Sequence, residues 1–245
     1  MIKITNLNKS FDGQVVLKDI NLDINAGEIW VILGPSGSGK SVLLKHLIGL
    51  MRPDSGSAEV NRWPMSHLSE RELLKVRKNI GFLFQDGALF DSLNVRDNVA
   101  FPLEEHTILS QEAIEEKVKR MLAMVGLSEA ENKFPVELSG GMKKRASLAR
   151  SVILDPKILC CDEPTSGLDP IRSRDISDLI RDISRELKTT TVIASHDVEN
   201  SFRIADRLAL IGESRLVLTG TKEDILRSSD PFVRSFFSST GGVHG

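Results

Sequence analysis

Cysteine is nearly absent from this chain: two of 245 residues, and those two adjacent. Such a pair closes no disulfide framework and points to a reducing compartment. Neighbours on a strand face opposite ways, so Cys160 and Cys161 are poor joint metal ligands and read as small residues of a buried strand. Long apolar runs are missing too. No stretch of about 18 uncharged apolar residues occurs, which excludes a helix spanning a bilayer, and the first residues lack the basic flank and apolar core of a signal peptide. A chain of soluble, cytosolic character is expected, reaching a membrane only through partners. Nor is there an excess of either charge. The 32 basic and 34 acidic residues leave a formal −2, which argues against bulk electrostatic binding of nucleic acid. Internal repeats, heptads and low-complexity linkers are not visible. What is present is 40% hydrophobic content, enough for a sizeable core, in a length that suits one core with an inserted subdomain.

Residues 2–8 and 15–33 read as strands broken by turns. Ile29 to Leu33 is a continuous apolar strand, and Ser41 to Leu50 reads as a helix stopped near Gly49. From about Asp86 to Leu154 the texture turns helical. Ile114, Val118, Met121, Leu122 and Val125 form one stripe, and a second helix over 142–154 has Ser139 placed to cap it. Ile158 to Cys161 resumes the β pattern, Ile176 to Leu187 is an amphipathic helix, and Thr190 to Ala194 is another buried strand. Strands alternating with helices imply an α/β fold with a parallel sheet covered on both faces.

Three distant segments carry chemistry. Gly34-Pro35-Ser36-Gly37-Ser38-Gly39-Lys40-Ser41 follows a strand and opens a helix, the context of a loop whose backbone N–H groups wrap a phosphate. Side chains at Gly34, Gly37 and Gly39 are expected to block that wrap. Lys40 is expected to reach the β- and γ-phosphates, and Ser41 to ligate Mg²⁺. Asp162 and Glu163 end an apolar strand, which places Asp162 to hold Mg²⁺ through water and Glu163 to polarise the attacking water. Pro164 favours extended backbone at Glu163; a solvated acidic turn is the other reading of the pair. Ser139-Gly140-Gly141 opens a helix whose free N–H groups favour an anion.

GPSGSGKS, LSGGM (138–142), DEPTSGLD (162–169) and Ser195-His196-Asp197 together resemble the nucleotide-binding subunit of an ABC transporter, in order and spacing, along nearly the whole chain. The resemblance implies a P-loop NTPase: a RecA-like core with a mostly parallel sheet, an N-terminal antiparallel β-subdomain and an inserted α-helical subdomain. It divides the chain into one ATPase domain, 1–228 (core and β-subdomain 1–85 and 155–228, helical subdomain 86–154), and a tail, 229–245. It also implies that Phe11 stacks on adenine and Val16 lies against the ribose. Gln85 senses Mg²⁺ and relays to the membrane partner, and His196 contacts the γ-phosphate. Ser139, Gly140 and Gly141 bind the γ-phosphate held by a second subunit, and Asp169 lies at the dimer seam. Other readings stand beside these: Phe11 as a core aromatic, His196 as a helix cap, Gln85 as an edge-strand polar residue. One departure is Met142, where the family's signature usually ends in glutamine. The cluster Lys143-Lys144-Arg145 reads as a solvated first helical turn, with steering of the neighbouring nucleotide by its positive charge as the other reading.

Within the family, LSGGMKKRASLAR (138–150), Asp86 to Val95 and Asn98 to Leu103 are similar to the ATPases of MCE-type lipid transporters, the Mla phospholipid and organic-solvent-tolerance systems. That implies ATP and Mg²⁺, a homodimer of this chain, transmembrane permease subunits, a periplasmic MCE-domain protein and a small STAS-domain protein, at the cytoplasmic face of a bacterial inner membrane. Ala88, Leu89, Phe90, Leu93 and Val95 suit either a groove for a permease helix or the subdomain's own core. In the tail, Phe232, Phe236 and Phe237 suit contact with a partner ATPase, whose dimer deletion of 229–245 then weakens, or packing on their own domain; Ser-Ser-Thr-Gly-Gly reads as a frayed end. An importer or exporter of amino acids or drugs shares every catalytic residue. A DNA-repair type ATPase needs coiled coils and a basic path that are not visible here.

Overall fold

The computed structural model describes residues 1–239. Strands β1 (Ile2–Phe11) and β2 (Gln14–Ile24) form a hairpin, and β3 (Ile29–Leu33) runs into α1 (Lys40–Leu47). Next come β4 (Ser55–Val60), β5 (Trp63–Pro64), α2 (Glu70–Arg77) and β6 (Ile80–Leu83). Helices α3 (Val95–His106), α4 (Gln111–Met124) and α5 (Gly140–Val152) follow, then β7 (Ile158–Asp162), α6 (Pro170–Leu187), β8 (Thr190–Ser195) and α7 (Val198–Ile204). Strands β9 (Arg207–Gly212) and β10 (Arg215–Gly220) and helices α8 (Lys222–Leu226) and α9 (Pro231–Ser239) complete the described residues.

Two sheets result. The first is antiparallel, in the order β2-β1-β4-β5; the second has the order β10-β9-β3-β8-β7-β6 and is parallel except for the β9–β10 pair. The parallel strands read as unbroken apolar runs because both faces are covered. Along β7, Ile158 and Cys160 face the core shared with the antiparallel sheet, while Leu159 and Cys161 face the core under α3, α4, α5 and α6. The two cysteines therefore point apart, as strand geometry requires. Burial pushes both thiols up, Cys160 to about 12.

Helix α3 falls within the helical texture expected over 86–154 and carries Pro102 in its interior, where its missing N–H leaves the carbonyl of Asn98 without the usual helical donor. The tail forms α9. Phe237 stacks on Phe202 with ring centroids 5.3 Å apart, and Phe236 meets Phe237 edge-on at 5.2 Å. Phe232 lies so close to Gly212 that a Cβ there would sit 2.3 Å from its ring. The three rings thus pack on their own domain, the second of the two readings; Thr240 to Gly245, part of the expected frayed end, lie outside the described residues. Phe237→Ala removes a buried ring and is expected to cost about 3 kcal/mol of stability, checked by urea unfolding.

Candidate nucleotide site

Strands β3, β8 and β7 are consecutive and parallel, with β6 beyond β7. Their C-terminal ends therefore lie side by side, and each is followed by a chemistry-bearing segment: 34–41 after β3, His196 after β8, Glu163 after β7 and Gln85 after β6. This is the edge at which open α/β sheets bind ligands. A cleft of about 400 Å³ opens there, lined by residues of the glycine loop with Val16, Gln85, Glu163, Ser166 and His196.

The loop's glycines serve different ends. At Gly39, φ is +97° and a Cβ would lie 2.7 Å from Leu17 and 2.9 Å from the carbonyl of Val16. At Gly37 a Cβ would meet no protein atom within 4 Å, and its φ of +79° is what favours glycine within the chain. Gly39 is also the N-cap of α1, with no side chain occupying the helix's first N–H groups. Ser38 Oγ is buried without a hydrogen-bond partner among the described residues. A cradle of free donors at a helix N-terminus, around an unpaired hydroxyl, fits a phosphate.

Lys40, 4% exposed, donates from Nζ to the carbonyls of Gly34 (2.9 Å) and Pro35 (3.0 Å) and lies 3.4 Å from Glu163 Oε1. The other carboxylate oxygen, Oε2, is 2.8 Å from His196 Nδ1. Glu163 is thus held between an ammonium and an imidazole, at the floor of the cleft. Ser41 Oγ donates to Asp162 Oδ1 at 2.6 Å. Burial pushes the Asp162 carboxyl up, with the Ser41 bond opposing it. Gln85 donates from Nε2 to Ser166 Oγ at 3.4 Å.

The backbone at Glu163 corrects an expectation. Its φ is +46°, left-handed rather than extended. Proline disfavours the right-handed helical region in the residue before it, and the turn closed by Ser166 N–H onto the Glu163 carbonyl (3.1 Å) selects the left-handed alternative. The basic cluster corrects another. Lys144 is buried and Arg145 donates to the carbonyl of Val125 at 3.0 Å, so this turn is largely sequestered. Asp197, not His196, caps α7. Phe11 is 40% exposed and so is no core aromatic.

Residues 139–141 lie apart from this cleft's lining. Ser139 caps α5, accepting from the N–H of Met142 at 3.4 Å, and Met142 packs against the core. Ser139 and Gly140 are exposed. A Cβ at Gly140 or Gly141 would make only ordinary contacts, at 3.4 and 3.8 Å, and neither has positive φ. Nothing among the described residues requires two glycines at this helix start. Asp169 caps α6, accepting from the N–H of Arg172 at 3.0 Å, and that bond holds its carboxyl below the usual range.

A glycine loop between strand and helix, an acidic pair at the end of a nearby parallel strand and a histidine just past the strand between them define a phosphate-loop nucleoside triphosphatase. The family model for ABC transporters matches residues 17–166, and the chain belongs to that family, as its ATP-binding and ATP-hydrolysing subunit. It is 47% identical over 237 residues to a probable ribonucleotide transport ATP-binding protein, mkl, of Mycobacterium leprae, covering 97% of this chain and 68% of the relative. It is 42% identical to the intermembrane phospholipid transport system ATP-binding protein MlaF of Haemophilus influenzae, covering 96% of this chain and 89% of the relative. The chain thus spans about two thirds of the mycobacterial relative. The dimeric post-hydrolysis structure of the cassette MJ0796, bound to ADP and Pi, superposes with a TM-score of 0.82 at 30% identity, covering 90% of this chain and 98% of that one. ATPase subunits of this family work as dimers with transmembrane permease partners. No helix among the described residues is long and apolar enough to cross a membrane.

Proposed function

We propose that the chain powers phospholipid transport as the ATPase subunit of an MCE-type complex at the cytoplasmic face of a bacterial inner membrane. The similarity to MlaF, over 96% of this chain and 89% of that relative, carries the reading. The segments 86–95, 98–103 and 138–150 bear the same likeness. The M. leprae relative is named for ribonucleotides; substrate, however, meets the permease and not this chain.

In this reading ATP is the substrate. The backbone of Gly34, Pro35, Ser36, Gly37, Ser38 and Gly39 wraps its phosphates, and Lys40 turns from the loop carbonyls to the β- and γ-oxygens. Phe11 and Val16 take the base and ribose. Ser41, Asp162 and Gln85 offer only oxygen donors, directly or through water, a set that suits Mg²⁺, which keeps several waters and binds phosphates. When bound, Mg²⁺ supplies charge stabilisation at the phosphates. Glu163 accepts a hydrogen bond from the attacking water, and His196, already on Glu163, fixes the carboxylate's direction. The exposed start of α5 has N–H groups free and glycines with no internal purpose. It closes over the γ-phosphate held by a second copy, with Asp169 at the seam, so each ATP bridges two subunits and hydrolysis releases them.

A groove of about 770 Å³ lies beyond Gln85, lined in part by Phe84, Ala88, Phe90 and Phe101. Val95 is buried and Leu89 packs on the core, whereas Ala88 and Phe90 are exposed. The groove is where a permease helix docks. Affinity purification of the native complex tests the reading: permease subunits, an MCE-domain protein and a small STAS-domain protein are expected to copurify. Permeases of an amino-acid importer or a drug exporter in their place would overturn it.

A further inference from the structure

Lys144 lies on α5, five residues past the Ser139 cap, and is 7% exposed. An ammonium is costly to bury unless its donors are met, and burial does depress this one, against the opposing fields of Asp86, Glu163 and Asp162. Its partners are main-chain carbonyls from two different segments. Nζ donates to the carbonyl of Gln85 and, at 3.5 Å, to that of Glu163. The second contact fastens a backbone in need of support. Glu163 has a φ of +46° ahead of Pro164, a conformation that persists only where its surroundings hold it. Holding come from three bonds: Glu163 N–H to Ala194, Ser166 N–H to the Glu163 carbonyl, and Lys144 to that same carbonyl.

The same helix grips the segment after Gln85 further along. Arg150 Nη2 donates to the carbonyl of Gly87 at 3.0 Å, and its guanidinium lies 5.5 Å from the ring centre of Phe90. A Cβ at Gly87 would lie only 2.5 Å from Ser147 Oγ, so the backbone there approaches α5 closely. Residues 85–90 are therefore anchored along one face of α5, and Lys144 joins that anchored unit directly to the peptide of Glu163, beside the bond from Gln85 to Ser166.

We propose that Lys144 is a positioning residue for hydrolysis. It fixes the peptide between Glu163 and Pro164, and with it the direction of the Glu163 carboxylate, while tying that peptide to the segment lining the groove beyond Gln85. A partner seated in the groove moves 85–90 and α5 together, and Lys144 carries the displacement to Glu163. The inference rests on the ATPase reading of Glu163 and on nothing about the transported substrate.

The test uses the full chain and compares wild type, Lys144→Met, Lys144→Arg and Glu163→Gln in steady-state ATP hydrolysis, binding of a fluorescent ATP analogue and thermal melting. Methionine keeps the unbranched apolar stem without the ammonium; arginine keeps the charge. Lys144→Met is expected to lower kcat about tenfold or more, since misplacement of a catalytic group by about 1 Å can cost about 10²-fold, with KM and analogue affinity within about threefold. Lys144→Arg, which keeps a charged donor for the two carbonyls, is expected to exceed the kcat of Lys144→Met by about threefold or more. A Lys144→Met kcat within about twofold of wild type, or an Arg variant that falls as far as the Met variant, overturns the inference. Loss of turnover in Glu163→Gln beside either result leaves the ATPase reading standing, so the two claims fail separately.

Discussion

Glu163→Gln is expected to bind ATP and to hydrolyse it roughly 10²–10⁴-fold more slowly than wild type, the usual contribution of a positioned base. The substitution is nearly isosteric and keeps one oxygen for His196 or Lys40, which now stand 2.8 and 3.4 Å from the two carboxylate oxygens. The loop, Ser41 and Asp162 are untouched, so nucleotide affinity should stay within about threefold. What disappears is the negative charge that, in the proposed reading, draws a proton from the attacking water. Phosphate release measured beside analogue binding separates the two effects. Turnover near wild type would remove Glu163 from its role and leave the carboxylate as part of the loop's ion pairing.

Lys40→Ala acts at the other end of the reaction, on binding itself. The ammonium is almost wholly buried and already donates to two loop carbonyls. Its charge borders the cleft in which the proposed reading places the phosphates. Charge-assisted hydrogen bonds contribute about 1.5–3 kcal/mol each, so loss of ATP affinity by about 10²-fold or more is expected. The loop also loses the donor to Gly34 and Pro35, which loosens the cradle and adds to the effect. Titration with a fluorescent ATP analogue gives the answer; affinity within about threefold of wild type would contradict the role.

Both variants address residues that the sequence names outright. Lys40, Glu163 and the glycines are legible because their chemistry needs fixed residue types at fixed local spacing, and the strand–loop–helix pattern around them is local as well. The meeting of the four strand ends was also readable, since alternating apolar strands and helices imply a parallel sheet. Residues governed by tertiary packing were not. Lys144 looks like any basic residue in an exposed helical turn; only the approach of the Gln85 and Glu163 carbonyls makes it a buried tie. The φ of Glu163 depends on a turn closed by Ser166, which the preceding proline alone does not specify. In α3 the helical texture was legible, but the place of Asn98 becomes intelligible only in three dimensions: the buried amide donates to the carbonyls of Phe90, Leu93 and Asn94 and accepts from the N–H of Phe90. The aromatic tail likewise gave no sign of which surface it would choose.

Subunit closure is tested most directly by sedimentation velocity of Glu163→Gln with and without Mg-ATP, beside the double variant that also carries Ser139→Arg. Glu163→Gln is expected to run as a dimer only with ATP, and the double variant as a monomer that still binds the nucleotide, because the start of α5 can no longer approach a partner's γ-phosphate. A dimer that forms without ATP, or one indifferent to residue 139, would contradict the bridging role of that helix.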